Sequence, residues 1–397
     1  MTMASSVPLF KSRPAIPVLI AIAVCLAAGS ASAGYAVTDL GVLPGGSQSA
    51  GMAVNLYGNI VATAGVDSFH TNAAFGSTSG LASLGTLTGG SNSSGFGIND
   101  GGQIAGSSEI SVMTSHGPMI QTHAFRSSDG GSPQDLGTYR GDIASVGYAI
   151  NGGGVVAGAS YGFGGDSRAV LIYGKDAFVD LGTLGGTNAA ALALNNNNVA
   201  TGWAQLASGP IHAFITGPNG LQDLGVLPGF TTSQGQAINL LGQVVGFSGS
   251  PGSSAAFLYN PGSPTLVNLG VLPFGITSQA LGINDSGTIV GSVGFSSGPS
   301  HGFVRDPATG LMIDLNSLLT TTTNLLITSA TGVNDQNMIV GTAAVGNQLH
   351  AVLLTPIPGQ NPFIPPPVPE PSSWLLLVGG GAGVALLVRT RRGKAAA

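Results

Sequence analysis

Four histidines stand at one place in a repeating pattern: His123, His212, His301 and His350, each opening a His-Ala-Phe triplet or a relative of it. Imidazoles ligate metals and carry protons, so a phased set of them raises the question of a metal cluster. The same position in other copies holds Ala73, Arg168 and Ala255. In a ring of repeats such side chains are spread around the ring rather than brought together, and their role is read as structural. Asp39, Asp135, Asp180, Asp223 and Asp314 are phased in the same way. They are read as acceptors for backbone or hydroxyl donors at one place in each copy. Asn99-Asp100, Asn284-Asp285 and Asn334-Asp335 offer oxygen ligands for calcium, but the twelve-residue loop of alternating carboxylates is missing, and turn chemistry accounts for them. The Gly-Gly pairs at 45–46, 89–90 and 185–186 lack the Lys-Ser/Thr that completes a phosphate loop.

Hydrolysis of a glycosidic bond needs two carboxylates facing it. Between Gly34 and Pro362 there is one Glu, Glu109, and the Asp residues are phased or sit in turns, so no pair stands out. A Gly-x-Ser-x-Gly elbow before a helix and a His-Glu-x-x-His pair are both missing. The sequence therefore points to no catalytic residue, no metal site and no cofactor.

Charge narrows the partners. The formal net charge of −5 conceals a body with five basic residues (Arg126, Arg140, Arg168, Lys175, Arg305) against fourteen Asp and one Glu, about −10. Such a surface has no electrostatic footprint for nucleic acid. Cys25 is the single cysteine and lies in the amino-terminal apolar run, so once that run is cut away no disulfide is available.

The elements that would carry these residues repeat. An Asn recurs at 55, 99, 151, 195, 239, 284 and 334, with spacings of 44, 52, 44, 44, 45 and 50 residues. Three residues on comes Gly or Asn (Gly58, Gly102, Gly154, Asn198, Gly242, Gly287, Asn337), then an apolar pair and usually Gly. This is hairpin chemistry: Asn opens the turn by bonding its own backbone, and the third residue supplies a left-handed conformation. We label the strand ending at the Asn a, the returning strand b, the His-Ala-Phe strand c and the strand ending in Asp-Leu-Gly or a relative d. Four short strands per 44–52 residues is the size of a propeller blade.

The chain opens on a d strand, Tyr35 to Leu40, and closes on a c strand, His350 to Leu354. The orphan d would complete the last blade, leaving no open edge. The expected fold is thus all-β, a seven-bladed propeller of four-stranded blades closed by the N-terminal strand; an open β-solenoid of seven coils is the alternative. Leu-Gly, Ile-Asn-x-x-Gly, Val-Gly and His-Ala-Phe at this spacing resemble the HAF family of extracellular repeats over residues 35 to about 355. The resemblance implies no particular activity.

The ends read as addresses. Lys11 and Arg13 precede an apolar stretch, Ala15 to Ala28, and small residues Ala31 and Ala33 stand at −3 and −1 of a cleavage point after Ala33. That is a secretory signal peptide over 1–33, the alternative being a retained membrane helix. After the body, 34–355, and a Pro-rich linker, 356–367, come Val368-Pro369-Glu370-Pro371, an apolar run from Trp374 to Val388 and the basic Arg389, Arg391 and Arg392. Residues 368–397 resemble the PEP-CTERM sorting signal of Gram-negative bacteria in its motif, its hydrophobic helix and its basic tail. The resemblance implies export across the inner membrane, transient anchoring, processing by an exosortase, and release to the cell surface or medium in an organism that makes exopolysaccharide. An ordinary tail anchor is the alternative.

Alternating strands put a–b and c–d turns on one face and b–c and d–a connections on the other. The longest b–c connection, Ser107 to Thr122, carries Glu109 and His116 and is the candidate binding loop. The expectation is a non-enzymatic surface or matrix interaction module whose partners are the secretion machinery, an exosortase and exopolysaccharide, touching membrane only through its terminal segments. A hydrolase or lyase of extracellular polymer, and a purely structural surface-layer role, are the alternatives.

Overall fold

The computed structural model describes residues 34–363, apart from 68, 116, 129 and 321–323. Ala31 and Ala33, His116, and the tag residues Val368, Pro369, Glu370, Pro371, Arg389, Arg391 and Arg392 lie outside the described residues. Within them the chain forms twenty-eight β-strands, two short 3-10 turns and no α-helix. No helix of the described residues is long and apolar enough to cross a membrane.

The strands run a–b–c–d throughout. Four sheets hold four antiparallel strands each, and a fifth holds twelve. The large sheet is three runs of four, joined only where a single residue of an a strand bridges in parallel to the c strand before it, Ala144 to Thr122 and Asn188 to Ser167. The last sheet is completed from the other end of the chain. Its d strand is Tyr35–Asp39, antiparallel to Gln348–Pro356 with Asp39 opposite Val352.

The apolar pair after each Asn turn explains how the sheets pack. Adjacent residues of a strand point to opposite faces, so a pair of large apolar residues marks a strand buried on both sides. Ile289 joins one apolar cluster with Val245, Leu272 and Phe303; its neighbour Val290 joins another with Leu315, Ile327 and Ile339. Seven such clusters lie between successive four-strand units. One of them sets Ile60 and Ala62 of the first unit against Val340, Ala351 and Leu353 of the last.

Phe125, Phe214, Phe257 and Phe303, the third residues of the c-strand triplets, are wholly buried. Each contributes roughly 1.5–3 kcal/mol by leaving water. Close approach sets the small residue after the apolar pair: a Cβ at Gly246 would collide with the Gln234 carbonyl of the neighbouring a strand.

Packing continues past residue 355. The last strand reaches Pro356, the Ile357 amide donates to the Gly34 carbonyl, and Phe363 lies against the final core cluster. The first residues of the Pro-rich stretch are therefore part of the folded body.

Candidate functional site

The seven asparagines do more than open turns. Each Oδ1 accepts the amide four residues on, as Asn55 does from Asn59 and Asn334 from Met338. Each Nδ2 donates across to the main-chain oxygen of the next asparagine, at 2.8–3.2 Å: Asn55 to Asn99, then 151, 195, 239, 284 and 334. The seventh returns, Asn334 Nδ2 donating to the Asn55 oxygen at 2.8 Å. Asn suits the position because its short amide accepts and donates at once. The third residue after each takes a left-handed φ, including Asn198 (59°) and Asn337 (58°).

The cycle surrounds a cavity of about 260 Å³ at the a–b turns, rimmed by Leu56, Asp100, Gly152, Leu240, Asp285 and Asp335. Its three aspartates tie each turn to the turn of the preceding unit: Asp100 accepts from the Leu56 amide, Asp285 from Leu240 and Asp335 from Asp285. Among the described residues no group of His, Cys, Asp or Glu gathers as a metal would require.

The phased His and Asp positions meet. Nδ1 of His123, His212, His301 and His350 lies 2.7–2.9 Å from Asp135, Asp223, Asp314 and Asp39 respectively. The same aspartates accept the amide two residues on, as Asp135 does from Gly137. The pairs stay one to a unit. Asp135 also receives Lys175 Nζ at 3.2 Å. Burial alone would raise its pKa, but the Gly137 amide, His123 and Lys175 outweigh that and hold it below the ordinary carboxylate value.

A serine that sequence reasoning passed over ties neighbouring units together. Ser49, Ser93, Ser145, Ser233 and Ser278 each accept a c-strand amide at 2.8–2.9 Å. Each also donates to the glycine carbonyl eight residues before it. The spacing Gly-x7-Ser was the available signal, obscured by the abundance of serine in the connections.

On the opposite face the 107–122 segment is not an irregular loop. It is the outer half of a hairpin of two twelve-residue strands, Gln103–Thr114 and Gly117–Ser128, paired out to Thr114 and Gly117. Its tip exposes Met113, Met119 and Ile120. Glu109 lies at its base rather than its tip. The carboxylate accepts the amides of Ser91 and Asn92 and the Asn92 side chain at 3.0–3.1 Å. The Asn92 side-chain bond does most to hold its pKa below the usual value, with the two amides adding to it against the opposing effect of burial. Glu109 thus braces the neighbouring d–a connection, and the exposed chemistry of the hairpin is apolar.

No protein-family model matches the chain, and no curated protein matches it. Several solved structures do. An oligogalacturonate lyase in complex with manganese is 11% identical, with 82% of this chain and 97% of that one covered and a TM-score of 0.50. The β-propeller domain of the Trilobed protease from Pyrococcus furiosus is 9% identical, with 76% and 92% covered and a TM-score of 0.46. TolB from Acinetobacter baumannii is 12% identical over 65% of this chain, with a TM-score of 0.42; the chain spans 64% of its length. At these identities the likeness is one of fold. The protein is an all-β chain of propeller type.

Proposed function

We propose that the chain is a seven-bladed β-propeller closed by its N-terminal strand, and that it serves as an exported cell-surface or extracellular-matrix interaction module associated with polysaccharide. The observation that carries the reading is the asparagine cycle that leaves Asn55 and returns to it from Asn334. Together with the shared core of the first and last units, it supports a rigid ring. Such a ring displays uniform turns on one face and varied b–c connections on the other, the arrangement in which loops on a fixed scaffold bind partners. Export and exosortase sorting rest on the sequence of the two ends.

Mass spectrometry of cell, membrane and medium fractions tests delivery. A mature amino terminus at Gly34 and a carboxyl terminus near Glu370 are expected; a chain retained whole in the cytoplasm overturns it. Incubation of the purified protein with the producing organism's exopolysaccharide tests the module. Retention without release of shortened product is expected, whereas product release would make it a hydrolase or lyase.

A further inference from the structure

Seven copies of one unit provide an internal control. A residue that serves only the fold should recur at its position, since the other copies fold without anything else there. The d–a connections follow this pattern closely: Gly-Val-Leu-Pro-Gly at 41–45 and 225–229 and Gly-Thr-Leu-Thr-Gly at 85–89, with Leu43, Leu87, Leu227 and Leu272 buried. Two connections depart from it: residues 315–324, uncharged and opening on a short 3-10 turn, and the connection between the second and third units. Between the second and third units the chain reads Gly137-Thr138-Tyr139-Arg140-Gly141-Asp142, and it is the one d–a connection that carries charge. In the same unit the phased c-strand histidine is replaced by Arg168.

These departures meet in space. The Arg140 guanidinium lies 4.9 Å from the centre of the Tyr139 ring, and that of Arg168 lies 5.8 Å from the same ring. Phe178 flanks the tyrosine at 6.5 Å. Arg140 is exposed and makes no ion pair among the described residues, while Arg168 Nη2 rests on Asp166 at 2.6 Å. On the adjoining b–c connection Phe163 is 82% exposed.

Stability does not explain the cluster. Arg140 takes a left-handed φ of 50°, which costs a non-glycine residue about 1–3 kcal/mol. Arg168 Nε and Asp142 Oδ2 are buried without a protein partner, each a further cost. Two of the body's five cations stand within 6 Å of one tyrosine ring.

We propose that this junction is a binding subsite for an acidic sugar residue of a polysaccharide, an assignment that rests on the polysaccharide reading above. Guanidinium forks suit a carboxylate, which they can hold with paired hydrogen bonds. The exposed aromatic ring of Phe163 offers a face to sugar C–H groups. The neighbouring carboxylates of Asp142 and Asp166 select further. They accept hydrogen bonds from hydroxyls, of which a sugar acid brings several, and they repel a phosphate, which brings more charge and fewer such donors.

The test is calorimetric titration of the full chain with polygalacturonate, its carboxyl-reduced neutral form and inorganic phosphate. Polygalacturonate is expected to bind, with affinity falling as salt rises, while the neutral form and phosphate bind at least tenfold more weakly. R140A should weaken polygalacturonate binding by about tenfold, the loss of one charge-assisted bond, and R140K should restore part of it. R140G should leave the thermal midpoint equal or higher, since it releases the left-handed strain. Equal binding of the acidic and neutral polymers, or indifference to R140A, overturns the subsite and leaves the polysaccharide reading standing. Preference for phosphate overturns the sugar assignment. Failure to bind either polymer or the producer's own exopolysaccharide sinks both.

Discussion

His350, on the last strand of the body, lies 2.9 Å from Asp39, on the first. The contact spans 311 residues of sequence and repeats the geometry of His212 with Asp223, which are only eleven apart. A strand supplied by the amino terminus therefore reproduces the d strand of an ordinary unit. Deleting Tyr35–Asp39 should expose the edge of Gln348–Pro356 and empty the place of the wholly buried Tyr35. Concentration-dependent association and a lowered thermal midpoint are expected. Light scattering and calorimetry would check both, and an unchanged monomer would argue against the closure.

The asparagine cycle predicts an unusual ranking of substitutions. Asn239→Asp keeps the acceptor for the Gln243 amide but loses the donor to the Asn284 oxygen and to Gln243 Oε1 and buries a charge. Asn239→Ala loses all three bonds. Aspartate should cost at least as much as alanine at neutral pH, about 2 kcal/mol or more, and chemical denaturation would rank them. A harmless aspartate would mean that the cross-unit donor contributes nothing.

Acid stability follows from Asp135. Its folded-state pKa lies below the unfolded value, so its contribution is fully present above the ordinary carboxylate pKa of about 4 and is lost as pH falls through the folded value. Asp135→Asn should therefore be destabilising at pH 7, with the gap to wild type closing as the pH falls below the ordinary carboxylate pKa of about 4. Thermal midpoints across that range read the difference directly; a gap independent of pH would remove the ionised carboxylate as its cause.

The long hairpin separates binding from folding. Replacing 110–121 by a two-residue turn removes Met113, Met119 and Ile120 but spares the Glu109 brace on Ser91 and Asn92. The thermal midpoint should hold to within a few degrees while binding through this face is lost. Glu109→Ala should do the reverse, lowering the midpoint through the 88–92 connection. Binding untouched by removal of the hairpin tip would take it out of the interface.

The serine staples predict a local weakness. Ser233→Ala leaves the Ala213 amide without its 2.8 Å partner in a buried junction, costing about 1–3 kcal/mol. Hydrogen exchange should rise first at Ala213 and at the junction of the fourth and fifth units. A uniform rise across the body would assign the serine no special place.

Much of this architecture is legible in one dimension because it repeats. Asn, left-handed residue and apolar pair announce a hairpin whose strand is buried on both faces, and the displaced d strand announces a shared sheet. What the period cannot announce is which phased residues touch. His123 and Asp135 each look like isolated structural residues, and only strand pairing brings them to 2.8 Å. Glu109 looks free in a long connection, yet its strand runs on beside the d–a connection that leads into its own unit and sets its carboxylate on Ser91 and Asn92.

The sequence by itself determined the strand period and the turn chemistry, because these depend on local conformation. Only the tertiary structure decided that Asn334 reaches Asn55, that serines link neighbouring units, and that Tyr139, Arg140 and Arg168 gather at one junction. Those contacts depend on the curvature that accumulates from unit to unit, and no single repeat contains it.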